Sequence, residues 1–350
     1  MKKIGFLIII SFFINDLIAQ KIPDTNSLYP ILENGKWGLM QKNGDVYLTP
    51  KYEFTGYYHD GMCLIKQAGL YGFIDALGRE IIKPQFTMAH DFSEGYALVM
   101  NPFMEGLNQY EFINTKGEVT PNGLGILVSA SDFHNSRALV KPLGSGNILV
   151  IDKSFKVAFE NPNCIMFDDS TQNFHEGLLK AICNTHIGYL DTMGRVYLNP
   201  MVDDGGIFSE GLSSYSKTDL IGYMNKNGES VINTKWDLGF PFSEGMARVA
   251  VQTFVDPETY QKTGGIFGFI DKTGTEIILP QYEEAGDFHN GLAKVKINGK
   301  FGFIDKTGKQ VIQPTYDNAQ DFYHGLAFVK SGNLWMYIDA KGKTVWHSSN

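Results

Sequence analysis

Apolar and polar residues alternate in short runs that recur between Gly35 and Trp346. In Leu292-Ala293-Lys294-Val295-Lys296, and again in Lys300-Phe301-Gly302-Phe303-Ile304-Asp305, the period is two, as in a strand with one buried face. Asn298-Gly299 between them predicts a tight hairpin turn. Asp305-Lys306-Thr307-Gly308 predicts a second, slightly longer turn, with Gly308 supplying the positive-φ residue. A third run, Lys309-Gln310-Val311-Ile312-Gln313, stops at Pro314, which cannot donate to a ladder. Such a stretch is a three-stranded meander. The residues that follow, Tyr316 to Phe322, lack helical periodicity and read as an ordered connector whose aromatics fill the gap between neighbouring meanders.

The same phrases return along the chain. With the polar residue that closes the hydrophobic pair as marker, copies fall at Gln41, Asp75, Asn114, Asp152, Asp191, Asn225, Asp271, Asp305 and Asp339. The last three stand 34 residues apart, which sets the basic unit; longer intervals elsewhere are loop insertions. A second phrase, an aromatic, two variable residues and Gly, recurs as Tyr58-His59-Asp60-Gly61, Phe92-Ser93-Glu94-Gly95, Phe174-His175-Glu176-Gly177, Phe208-Ser209-Glu210-Gly211, Phe242-Ser243-Glu244-Gly245, Phe288-His289-Asn290-Gly291 and Phe322-Tyr323-His324-Gly325. In Phe133-His134-Asn135-Ser136 the Gly is replaced. At these residues the chain resembles the WG-repeat (KWG) family of bacterial proteins, whose name-giving motif is matched by Gly35-Lys36-Trp37-Gly38. The resemblance extends over nearly everything after about residue 28, and it implies no general catalytic role.

The expected fold is all-β: a tandem array of about nine three-stranded meanders, each too small to bury its own apolar face. Both ends of the array coincide with whole meanders, and nine units exceed the usual range of about four to eight propeller blades. These features favour an open, curved array, with a closed propeller-like ring as the alternative. The copies near Tyr110 and Leu149 have lost the mid-strand Gly, so irregular geometry is expected there.

Lys2-Lys3, the apolar run Ile4 to Ile14 and the small residue Ala19 predict a secretory signal peptide over residues 1–19, followed by the array over 20–350. The run is short for a membrane span, so the mature chain is expected without an integral span and in the periplasm, outside the cell or at its surface. Of the three cysteines, Cys164 and Cys183 lie in one unit and could pair, leaving Cys63 free; buried thiols are the default expectation. A net charge of -8 with scattered Lys and Arg argues against nucleic acid as a partner.

The repeated acids do not form a catalytic pattern. Glu94, Glu176, Glu210 and Glu244 occupy one repeat position, where a connector carboxylate, either bonded to backbone N–H groups or solvated, is the simplest reading. Asp75, Asp152, Asp191, Asp271, Asp305 and Asp339 stand at hairpin mouths, where Asp accepts from turn donors. The histidines lack the short spacing of zinc sites, the paired acids lack the ligand spacing of a calcium loop, and no nucleophile elbow or phosphate loop is present. No cofactor, metal or catalytic residue is expected. Function is sought where the repeat breaks: a long insertion around Thr253 to Gln261 in the seventh unit and another around Asn101 to Leu107 in the third. Phe103, Met104, Phe254 and Tyr260 are the candidate partner contacts. The expected role is a non-catalytic scaffold for a protein or cell-surface component. The alternatives are a glycan-binding module using exposed aromatics and a hydrolase in an inter-repeat groove.

Overall fold

The computed structural model describes residues 24–101, 109–161, 163–166, 172–200, 202–259 and 261–349. Apart from one short 3-10 turn, Thr25–Ser27, its regular elements are antiparallel strands. Nine meanders follow one another in chain order, as the repeat requires. Six form separate four-stranded sheets, for example Glu284–Ala285, Leu292–Ile297, Lys300–Asp305 and Gln310–Tyr316 in unit 8. The connector therefore does more than link units. Its first residues make a short edge strand, so the three strands read from the sequence gain a fourth. Two-residue strands such as Asn318–Ala319 are below the length at which alternation can be recognised.

Glycine in the third strand has a steric cause. A Cβ on Gly302 would lie 2.5 Å from the Ile312 carbonyl oxygen and 2.7 Å from Pro314 N. Gly72 and Gly268 face Ile82 with Pro84 and Ile278 with Pro280 in the same way. The fourth strand shifts register at this point and presses its backbone onto the third. Connector aromatics close the joints between units. Phe92 meets Phe73 edge to face at 4.8 Å, Phe208 meets Tyr189 at 5.0 Å, and Phe322 meets Phe303 at 4.8 Å. Each ring comes from one connector and packs on the third strand of the preceding unit, so the core runs continuously through the joints.

Two neighbouring units that lack the glycine have merged. Units 3 and 4 share one seven-stranded sheet, joined where Tyr110 pairs with Leu127. Among the described residues unit 1 has three strands, Leu28–Glu33, Lys36–Gln41 and Val46–Tyr52. Pro30 stands in the first of them, which pairs on one side with Lys36–Gln41.

Curvature brings the two ends of the array together. Tyr29, Ile31 and Met40 of unit 1 share a buried cluster with Leu326, Phe328, Tyr337 and Trp346 of unit 9. The Tyr29 hydroxyl donates to the His324 carbonyl at 2.9 Å. Tyr57, in the first strand of unit 2, and Tyr323, just after the first strand of unit 9, meet at 4.2 Å. These first strands therefore lie on the inside of the curve. Among the described residues no strand of unit 1 pairs with one of unit 9, so the sheets remain separate and do not close into a hydrogen-bonded barrel. The chain follows the ring-like course weighed as the alternative, while its array of sheets stays open along the hydrogen-bonding direction.

Cys164 and Cys183 form a disulfide, which corrects the expectation of two buried thiols. They stand directly opposite each other in the antiparallel pair Cys164–Ile165 and Leu178–Cys183. Sequence could not show this because Cys164 lies in a two-residue first strand. Cys63 is free and buried, and burial pushes its thiol well above the ordinary range.

Candidate functional site

The repeated connector acids turn out to be fasteners. In Phe-Ser-Glu-Gly the Glu and Gly both take positive φ, forming the hairpin between the first and second strands. Each acid side chain then reaches the equivalent turn of the next unit. Glu244 Oε2 accepts from Gly291 N at 2.9 Å, Glu210 Oε2 from Gly245 N at 3.0 Å, and Glu94 Oε2 from Ser136 N at 2.9 Å. Asp60, Asn135, Glu176 and Asn290 make the same link. Serines of this phrase add a second link, Ser243 Oγ donating to the Phe288 carbonyl at 2.7 Å. Lys306 and Lys226 close on Glu244 and Glu176 at 3.3 and 3.1 Å. Burial works to raise these two carboxyls, yet the lysine and backbone donors hold both below the ordinary range. Both carboxylates thus hold backbone and lysine donors together across the joint.

The hairpin aspartates are committed likewise. Asp305 Oδ1 accepts from Thr307 N at 2.9 Å and Lys309 N at 3.1 Å, and Asp271, Asp191 and Asp75 do the same in their turns. A hydrogen bond from the Thr273 hydroxyl holds the Asp271 carboxyl below its usual range.

A polar line on the inner edge escaped the sequence reading. The residue just before the connector aromatic is Asp91, Asp132, Asp287 or Asp321 in four units. Each meets a cationic or imidazole side chain of the preceding unit: His59 and Asp91 at 3.6 Å, His90 and Asp132 at 3.0 Å, Arg248 and Asp287 at 3.4 Å, Lys294 and Asp321 at 3.6 Å. The hydrogen bond to Asp132 raises His90, while burial raises the Asp91 carboxyl. The signal was present as an Asp-aromatic dipeptide recurring at one repeat position. Its partners come from different strand positions, so only the fold pairs them. Among the described residues no group of three or more His, Cys, Asp or Glu could hold a metal ion.

The seventh-unit insertion forms an extra hairpin, Phe254–Val255 paired with Lys262–Thr263. Phe254 and Val255 are 61% and 57% exposed. The ribbon is anchored by Lys262 Nζ donating to the Asp219 carbonyl of the neighbouring unit. It replaces the turn between the second and third strands. It therefore projects from the face opposite the acid–glycine links; the insertion of the third unit falls between its second and third strands, outside the described residues. Phe103, Met104 and Tyr260 lie outside the described residues. Most other aromatics are in the core: Trp236, Phe73, Phe269 and Tyr337 are at most 2% exposed. Among the described aromatics only Phe54, Tyr197 and Phe254 are exposed by a third or more, and they stand in different units. This arrangement offers no shared stacking platform.

Separate small sheets, repeated in register and fastened joint by joint, define a tandem β-repeat protein whose polar repeat positions are structural. The chain is a WG-repeat protein: the model of the WG-containing repeat matches residues 37–71, 71–101, 221–251, 267–301 and 301–335. The unmatched stretch between 101 and 221 holds the shared sheet and the disulfide. No curated protein matches the chain. Among solved structures it is similar to the dihydro-heme d1 dehydrogenase NirN in complex with DHE, at 10% identity over 93% of this chain and 73% of that one, TM-score 0.49. It is also similar to Hsv2p of Kluyveromyces lactis, at 11% identity over 61% and 75% of the two chains, TM-score 0.33. Among the described residues no helix is long and apolar enough to cross a membrane.

Proposed function

We propose that the chain is an exported, non-catalytic scaffold that engages a protein or cell-surface component through the face carrying the seventh-unit hairpin. The observation that carries this reading is the exposure of Phe254 and Val255 on a ribbon pinned by Lys262, because a pre-ordered apolar tip loses little conformational freedom on binding. The Cys164–Cys183 disulfide is what an oxidising compartment would produce, in keeping with the signal-like segment at residues 1–19. The commitment of the repeated Glu and Asp to backbone donors favours scaffolding over chemistry. The test uses mature protein from Gln20 as bait for envelope extract and culture medium, beside the double variant F254S/V255S. Wild type should retain a partner, and the variant should lose at least tenfold of it with an unchanged melting temperature. Equal retention by both, or by neither, overturns the proposal.

A further inference from the structure

Unit 6 departs from its neighbours at two positions of its second strand, Leu212–Lys217. Where other units carry Leu64, Leu98, Leu139, Arg248, Lys294 or Phe328, unit 6 has Ser214. Two residues on, where others carry Lys66, Met100, Lys296 or Lys330, it has Ser216. The facing positions are equally small. Gly205 and Gly206 lie in its first strand at a register shift, and Gly239 lies in the first strand of unit 7. Together with the short Ser214 and Ser216 they line a cleft of about 180 Å³ with Asp204, Tyr215 and Ile221; the space directly above the glycines is taken by Tyr189, Ser214 and Ile221.

The walls are fixed while the lining hydroxyls are not used. Tyr189 donates from its hydroxyl to the Gly206 carbonyl at 2.8 Å, and Tyr223 to the Phe240 carbonyl at 2.9 Å. Asp204 at the rim is neutralised by Lys180 at 2.8 Å. Ser214 and Ser216 are half-buried, and their hydroxyls have no hydrogen-bond partner among the described residues. A small cleft with free donor–acceptor hydroxyls, a charge-balanced rim and one apolar wall at Ile221 matches the chemistry of a neutral polyhydroxylated molecule. Such a ligand both donates and accepts along its length. We propose that this inner cleft between units 6 and 7 binds a single sugar residue through Ser214, Ser216 and Asp204. The site is independent of the hairpin face and needs no exposed aromatic.

The test is saturation-transfer NMR on the mature protein with glucose, galactose, mannose and N-acetylglucosamine, and with short oligosaccharides ending in each. Binding of a free monosaccharide would identify a soluble ligand, and binding only of the oligosaccharides would identify a glycan terminus; either supports the site. S214L/S216K restores side chains that other units carry, so it should fold and lose binding by at least tenfold. S214A/S216A keeps the cleft open, removes the hydroxyls and should weaken binding several-fold, which covers the case in which the filled variant is unstable. F254S/V255S should leave sugar binding unchanged, separating this result from that of the scaffold reading. Silence with all probes, or undiminished binding in S214L/S216K and S214A/S216A, overturns the proposal.

Discussion

Single residues in this chain carry loads set by their neighbours in the next strand or the next unit. Gly302 has no room for a side chain, so Gly302→Ala should cost about 2 to 3 kcal/mol, as overpacking against backbone does. Urea denaturation would measure it, and an unchanged midpoint would refute the close-approach argument. Glu244 is a link with a pH signature. Its folded value lies below the ordinary glutamate value of 4.5, so its stabilisation is present above about pH 4.5 and fades as the pH falls through the folded value. Glu244→Ala should lower stability by about 1 kcal/mol at pH 7, and the loss should shrink as the pH falls below 4.5. A pH-independent loss would point to packing instead. Of the two roles the sequence leaves open for the repeated glutamates, solvated or bonded to backbone N–H groups, the structure has the second. What the sequence did not show is that the donor belongs to the next unit, because the link depends on how two turns stack.

Among the elements, the merger of units 3 and 4 falls where the third-strand glycine is missing, in the strands of Tyr110 and Leu149, whereas unit 9 has Met336 at that position and still forms its own four-stranded sheet. The disulfide lies in unit 5, whose last strand is only Val196–Leu198. It closes a loop with a sequence separation of 19, for which chain entropy gives about 3 kcal/mol. Cys164→Ser/Cys183→Ser should therefore lower the melting temperature, as should reductant. Equal melting curves with and without reductant would mean that the pair carries no load. Strand existence and hairpin turns were legible, since alternation and Asn-Gly or Asp-x-x-Gly spacing are local. The fourth strand was not, since two residues carry no period.

The whole molecule is shaped by small rotations between units, accumulated until Tyr29 and Trp346 share a cluster. A straight stack of nine sheets spaced about 10 Å apart would be about 90 Å long. The curved array should instead scatter X-rays with a radius of gyration near the ~20 Å of a compact domain of this length. A rod-like profile would contradict the contact between units 1 and 9.

The sequence by itself determined that the chain is all-β, that its unit is about 34 residues long, and where the insertions fall. Each of these depends on local period and turn chemistry, which survive in one dimension. Only the tertiary structure decided that the ends meet, that the inner aspartates find Arg248, Lys294 and His90, and that Ser214 opens a cleft toward Gly239. Those contacts join residues of different units, and their geometry depends on the angle between adjacent sheets. That angle is set by how connector aromatics such as Phe242 and Phe288 seat on the preceding strand.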